Sequence, residues 1–278
     1  MCLLAVPKFG GKAKGSNMPY VIVMLQSLIL LNLVGCQDEG QNRGSQLSDV
    51  VPQRIVSLDY CADQYVLKLA NRSNILALSP DAKTAFSYLR QRADGLPQVR
   101  PMAENIIALK PDLVVRSYGG GATIEPFLAR ADIRVITIGW VSELYGDSNE
   151  SIPGVTRKIA GALGETARGE AVVRDYLERL DRVRRHSQTR GELLYLSAAG
   201  ATSGPGSLID KMLGAAGFTN FVSEAGWQSI PLEKLAYEQP VAVAAAFFDD
   251  GKNHKNFWSP SRHPIAVSLR EQLPIANL

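Results

Sequence analysis

Two glutamates occupy matched places in this chain. Glu104 opens ENIIALKPDLVV and Glu233 opens EKLAYEQPVAVAAA, and in each the acid stands seven residues before a proline that leads into an apolar run. A carboxylate in the first turn of a helix is favoured by the helix dipole, which accounts for each acid singly but not for the duplicated unit. Other chemistry-bearing residues are sparse. The three histidines are His186, at the end of a charged helical run, and His254 and His263, in the polar stretch FFDDGKNHKNFWSPSRHP. None has metal-ligand spacing, so no free-metal site or resident cofactor is expected. No Ser-His-Asp, Cys-His or paired-carboxylate arrangement is visible. The glycine-rich GATSGPGS at 200–207 lacks the Lys-Ser/Thr ending of a nucleotide loop. The residue types point to binding, not to an enzyme.

The cysteines agree. Cys2 and Cys36 fall in the leader, which leaves Cys61 alone in the remaining chain. An intramolecular disulfide and a Cys-based zinc site are thereby excluded, and Cys61 is expected as a buried or half-buried structural thiol. The leader itself has a basic start (Lys8, Lys12, Lys14) and an apolar, uncharged stretch over Pro19–Val34, ending in Leu33-Val34-Gly35-Cys36. That ending resembles a bacterial lipobox, so residues 1–36 are expected to be an export signal with Cys36 as the lipidated residue. Residues 37–50, rich in Gly, Gln, Ser and Asp, suit a flexible tether. A net charge of +3 is too small to imply nucleic acid.

The elements that position these residues alternate regularly. Strand-like runs at 54–58, 75–78, 113–115 and 135–138 are separated by helical patterns at 62–70, 83–92, 103–110 and 123–130. Such β-α-β alternation implies a parallel sheet with helices on both faces. Residues 151–187 break the rhythm. Ser151 is placed to cap a helix with Pro153 in its first turn, and a second run covers Glu165–His186. Four acid-to-base pairs at i,i+4 support that run: Glu170–Arg174, Asp175–Arg179, Glu178–Arg182 and Asp181–Arg185. The β/α pattern restarts with strand 193–197, loop 199–206, helix 208–215 and strand 241–248. The fold class is therefore α/β, with two Rossmann-like lobes containing parallel sheets. They span 51–148 and 191–278 and are joined through 149–190 by a single long α-helix.

At this level the chain resembles the helical-backbone substrate-binding proteins of bacterial ABC importers, the periplasmic binders of vitamin B12, ferric siderophores and haem. The carriers are RIVSLDYCAD at 54–63, AENIIALKPDLVV at 103–115, the charged helix, TSGPGSLIDKMLGAAG at 202–217 and GWQSIPLEKL at 226–235. The resemblance implies an exported protein, periplasmic or lipid-anchored and acting as a monomer. It would hold an iron or cobalt chelate between its lobes and deliver it to a permease dimer with its ATPase. It also implies that Glu104 and Glu233 dock onto permease arginines, a role a helix-start carboxylate can fill because its oxygens stay free for bidentate contact. Ligands in open α/β sheets bind at the carboxyl ends of the strands. The implied ligand residues are Tyr60, Arg116, Tyr118, Trp140 and Ser203, which follow strands, with Trp227 at an aromatic position of the vitamin B12 binder. Arg100 lies near, but out of register with, an arginine that contacts siderophores in relatives. Two departures stand out. Gln98 occupies a place that is often aromatic or basic, and relatives continue past LPIANL through an aromatic loop and a terminal helix. The expectation is a cleft missing part of one wall and a chain stabilised by adding such a helix. Two further readings stay open, a chelatase-like enzyme of similar fold and a ligand-scavenging sensor lipoprotein.

Overall fold

Short apolar runs flanked by polar turns become strands buried on both faces, as a parallel sheet between helices requires. The structure is a computed structural model that describes residues 51–278 except 122, 198, 247–262, 274 and 278. The leader, the lipobox at Cys36, the tether and His254 lie outside the described residues. Strands β1 (Ile55–Ser57), β2 (Ile75–Ala77), β3 (Leu113–Arg116) and β4 (Arg134–Thr137) pair in the order β2-β1-β3-β4, all parallel. Helices α1 (Tyr60–Leu69), α2 (Ala103–Leu109) and α3 (Glu125–Arg130) make the crossovers. Ile55, Leu113 and Val115 face Val66, Leu69 and Ile159 on one side of the sheet. Val56 and Val114 face Ile106 and Leu128 on the other.

The first proline unit works as its spacing predicts. Lys110 ends α2 with φ +48°, and Pro111 forbids a further helical turn. Asp112 then accepts the backbone N–H of Gln53 (2.9 Å) and Arg54 (3.1 Å). The Arg54 guanidinium reaches back to the carbonyls of Leu109 (2.7 Å) and Lys110 (2.9 Å), closing the end of α2.

Between the two sheets lie α4 (Ile152–Ala162) and α5 (Thr166–His186). Ser151 caps α4 by accepting the Gly154 N–H at 3.0 Å, and Gly164 (φ +71°) makes the turn into α5. The helices touch so closely that a Cβ on Gly169 would sit 2.4 Å from that of Ala160. This corrects the expected single connecting helix: a 21-residue helix is present, but it is braced along its first turns by a second one. The expected ladder of ion pairs is also corrected. Asp175–Arg179 forms at 3.0 Å, whereas Glu170 takes Arg157 of α4 through two bonds of 2.7 and 3.1 Å. Glu178–Arg182 and Asp181–Arg185 do not form. A planar guanidinium gripping both oxygens of a carboxylate outcompetes a neighbour one turn along.

The second sheet runs β10-β9-β5-β7, again parallel, from β5 (Glu192–Ser197), β7 (Thr219–Asn220), β9 (Ala242–Ala246) and β10 (Ile275–Asn277). An antiparallel ribbon of β6 (Ala201–Ser203) and β8 (Trp227–Ser229) extends beyond β5. Helices α6 (Leu208–Ala215), α7 (Leu232–Leu235) and α8 (Pro264–Gln272) complete the half. Each acid–proline unit precedes an inner strand: α2 leads to β3 and α7 leads to β9.

One expected helix is absent. Residues 83–92 give two 3-10 turns, Pro80–Lys83 and Arg90–Ala93, with an irregular stretch between. Gln64 of α1 claims that stretch by donating to the Ser87 hydroxyl (3.1 Å) and accepting the Leu89 N–H (3.0 Å). A tertiary partner for the backbone N–H overrides helical spacing in so short a run. Among the described residues no helix is long and apolar enough to cross a membrane.

Candidate functional site

The carboxyl ends of β1, β3 and β4 share one edge of the first sheet, and a buried carboxylate organises it. Asp59, just past β1, accepts the Ala62 N–H at 3.0 Å as N-cap of α1. The same group accepts the Ser117 N–H (2.5 Å) and hydroxyl (2.8 Å) beyond β3. Gly120 lies so close that a Cβ there would fall 2.5 Å from Asp59 Oδ2 and 2.9 Å from Arg116 Cβ. The loop Ser117–Gly121 is thus pulled down onto β1, and its tyrosine is pushed outward. Tyr118 is 72% exposed and Trp140, past β4, is 63% exposed. Their rings stand 6.1 Å apart at 44°. Two large aromatics held side by side in solvent form a face for stacking and apolar burial.

Tyr60 sits at the same edge, half-buried, with its ring edge-on to Phe86 at 5.4 Å. Burial first, and then Cys61, raises its hydroxyl pKa, so it stays a neutral donor. Cys61 is free and partly buried, and burial ahead of Asp59 pushes its thiol up. Its half-buried place is the one expected, and the raised pKa lowers its thiolate fraction. Arg100 is exposed and precedes Pro101, whose carbonyl lies against Gly121, which sets a cation beside the aromatic pair's loop.

Two residues expected at the ligand are held inward in this structure. Arg116 is 4% exposed, with Nη1 paired to Glu125 Oε1 at 2.7 Å, an oxygen that also accepts the Thr137 hydroxyl. It braces β3, β4 and α3 together, and a buried guanidinium already paired is not offered to a ligand. Ser203 is fully buried where β6 pairs with β8 opposite Trp227, and its hydroxyl has no partner. Trp227 itself is 54% exposed and rests edge-on against Tyr195 at 6.0 Å, so the second half also presents a supported aromatic at its strand ends.

Glu104 and Glu233 are both exposed and both lie in the first turn of their helices, α2 and α7. Of the described histidines, His186 Nδ1 lies 2.7 Å from the Arg182 carbonyl, and His263 caps α8 through the Ile265 N–H. No cluster of His, Cys, Asp and Glu capable of holding a metal exists among the described residues.

Three residues escaped the sequence reading. Asp59 carried a signal, an acid between a strand and a helix, the N-cap position. Asp63 is buried and accepts both the N–H (3.1 Å) and the hydroxyl (2.5 Å) of Ser79, and burial lifts its pKa to about 6. Lys211 of α6 pairs with Glu143 and donates to the Ser142 carbonyl at 3.1 Å. It ties the second half to the segment just after Trp140. Nothing local in the sequence marks a contact between residues so far apart.

Residues 55–253 match the family described as periplasmic binding protein. The chain is 25% identical over 243 residues to the achromobactin-binding periplasmic protein of Dickeya dadantii, covering 79% of this chain and 75% of that one. Among solved structures it is similar to a periplasmic haem-binding protein from Pseudomonas aeruginosa (25% identity, TM-score 0.58, 81% and 84% of the two chains). A haem-binding protein from Roseiflexus has the same fold (21%, TM-score 0.63, 81% and 89%). So has the vitamin B12-binding protein of Vibrio cholerae (18%, TM-score 0.57, 82% and 88%).

Proposed function

This chain belongs to the periplasmic binding protein family, and from that premise we propose that it captures a metal chelate outside the cytoplasm and hands it to an ABC importer. The observation that carries the reading is the Tyr118–Trp140 pair, two solvent-facing rings 6.1 Å apart at the strand-end edge. Exposed aromatics held from beneath, by Asp59 on one side and Tyr195 under Trp227 on the other, suit a large, flat or aromatic ligand. A ferric siderophore, a corrinoid and a haem all meet that description, and the relatives' names include each kind of tetrapyrrole and achromobactin. Arg100 supplies a cation for an anionic chelate. Among the described residues the site holds no nucleophile–base pair, which favours a carrier over a chelatase in this proposal.

Delivery in this proposal uses Glu104 and Glu233 as contacts for permease arginines, with the protein exported as a monomer and anchored through Cys36. Reversing both charges should abolish uptake and leave ligand affinity intact; a loss of affinity would remove the two acids from the docking role. The binding reading is tested by titrating tryptophan fluorescence with haem, cyanocobalamin and ferric achromobactin. One of the three should quench saturably, and Tyr118→Ala with Trp140→Leu should weaken it at least tenfold. Binding of none, or equal affinity in the double variant, would overturn it.

A further inference from the structure

A cavity of about 480 Å³ opens at the other end of the first sheet, where α1 ends and β2 begins. Its wall includes four cations, Lys68, Arg72, Arg92 and Arg168, and no acid. The nearest carboxylate in contact with them is Glu165, 3.5 Å from Arg168 and already bonded to Asn71 at 2.6 Å. Part of this arrangement has an internal explanation. Arg168 donates to the Leu69 carbonyl (2.5 Å) and to Asn71 Oδ1 (3.0 Å), closing the C-terminal end of α1. Arg72 donates to the carbonyls of Arg92 and Asp94, pinning the 3-10 turn. Lys68 Nζ and the Arg92 guanidinium have no hydrogen-bond or ion-pair partner among the described residues. Helix capping needs neither at this spot, and gathering like charges in one concavity raises the local potential against the fold.

We propose that this cavity binds a phosphoryl group. Both fixed arginines are held in one orientation by backbone carbonyls, so little conformational freedom is lost when an anion arrives. The unpaired Arg92 guanidinium offers a fork that matches a phosphate's oxygens, Lys68 adds a second free cation, and the two fixed arginines add their charge. The group can come from free phosphate or from an anionic lipid headgroup. Residues 51 and 52 pack near this cavity: Asn74 donates to the Pro52 carbonyl at 3.2 Å, and Val51 lies against Gly164, beside Glu165.

The test uses the full chain in thermal unfolding with inorganic phosphate against chloride at constant ionic strength. Phosphate should raise Tm with the logarithm of its concentration above the dissociation constant, by about 3–6 °C at ten times that constant. Lys68→Gln with Arg92→Gln leaves the two capping arginines in place. That double variant should keep the Tm seen in chloride and lose the phosphate increment. Flotation with vesicles of phosphatidylglycerol or phosphatidylcholine separates the sources. A preference for phosphatidylglycerol that the double variant loses assigns a lipid headgroup, and no such preference beside a phosphate-dependent Tm assigns the free anion. An increment equal in wild type and double variant, or no increment, overturns the proposal.

Discussion

Replacing Gly120 with alanine tests the packing that displays Tyr118. The new Cβ would stand 2.5 Å from Asp59 Oδ2, 2.9 Å from Arg116 Cβ and 3.1 Å from Leu58 Cβ, against an ordinary contact beginning near 3.4 Å. The carboxylate cannot retreat cheaply, because it holds the Ala62 N–H and both donors of Ser117. Arg116 is fixed by its pair with Glu125. The loop must therefore lift off β1 and carry Tyr118 away from Trp140. Overpacking of this kind costs about 1–3 kcal/mol, which in a chain of this size lowers Tm by roughly 2–4 °C per kcal/mol. Gly161→Ala is the opposite case. It lies in α4 with nothing within 4 Å of the added atom, so it should stabilise by roughly 0.5–1 kcal/mol. Urea unfolding of both variants, with chelate titration of the first, reads the result. An unchanged Gly120→Ala midpoint, or a Gly161→Ala variant that is the less stable of the two, would refute the reasoning.

Other expectations follow from single groups. Asp59→Ser keeps a side chain able to cap α1 but is too short to hold Ser117 as well. It should weaken chelate binding several-fold at a cost of about 1 kcal/mol in stability, and hydrogen exchange at residues 117–121 should rise. Asp63 has its folded-state pKa raised from 3.8 to about 6. Its contribution to stability is complete below pH 4 and is lost as pH rises through 6, by about 3 kcal/mol. The stability of wild type relative to Asp63→Asn should fall by that amount between pH 4 and 7.5, and a flat difference would contradict the burial argument. Lys211 and Glu143 are both partly exposed, so a double-mutant cycle should give a coupling of about 0.2–1 kcal/mol; a value near zero would mean the contact is not held in solution.

The sequence made the first sheet legible because β1 and β3 are short apolar runs buried on both faces, each followed by a helix. The first acid–proline unit was legible for a local reason: Pro111 bars a further helical turn after Lys110, whereas in the second unit the helix already stops at Leu235, well before Pro240. What lay beyond reach depended on partners distant in sequence. Gln64 captures the backbone at 87–89 and removes a helix. Arg157 takes Glu170 from its neighbour one turn along. At the site, strand-end position alone could not separate a residue offered to solvent from one held inward. Tyr118 and Trp140 face outward, but Arg116 follows the same strand rule and is consumed by Glu125, nine residues on. Ser203 is buried by a ribbon whose second strand begins at Trp227, a pairing no short-range pattern announces.

The central claim is that the aromatic edge receives the ligand, and a crystal structure of the protein with its best-binding chelate addresses it directly. The account predicts the chelate in contact with Tyr118 and Trp140 and with Trp227, with Arg116 still paired to Glu125. A chelate bound away from these rings, or an Arg116 released to reach it, would contradict the account.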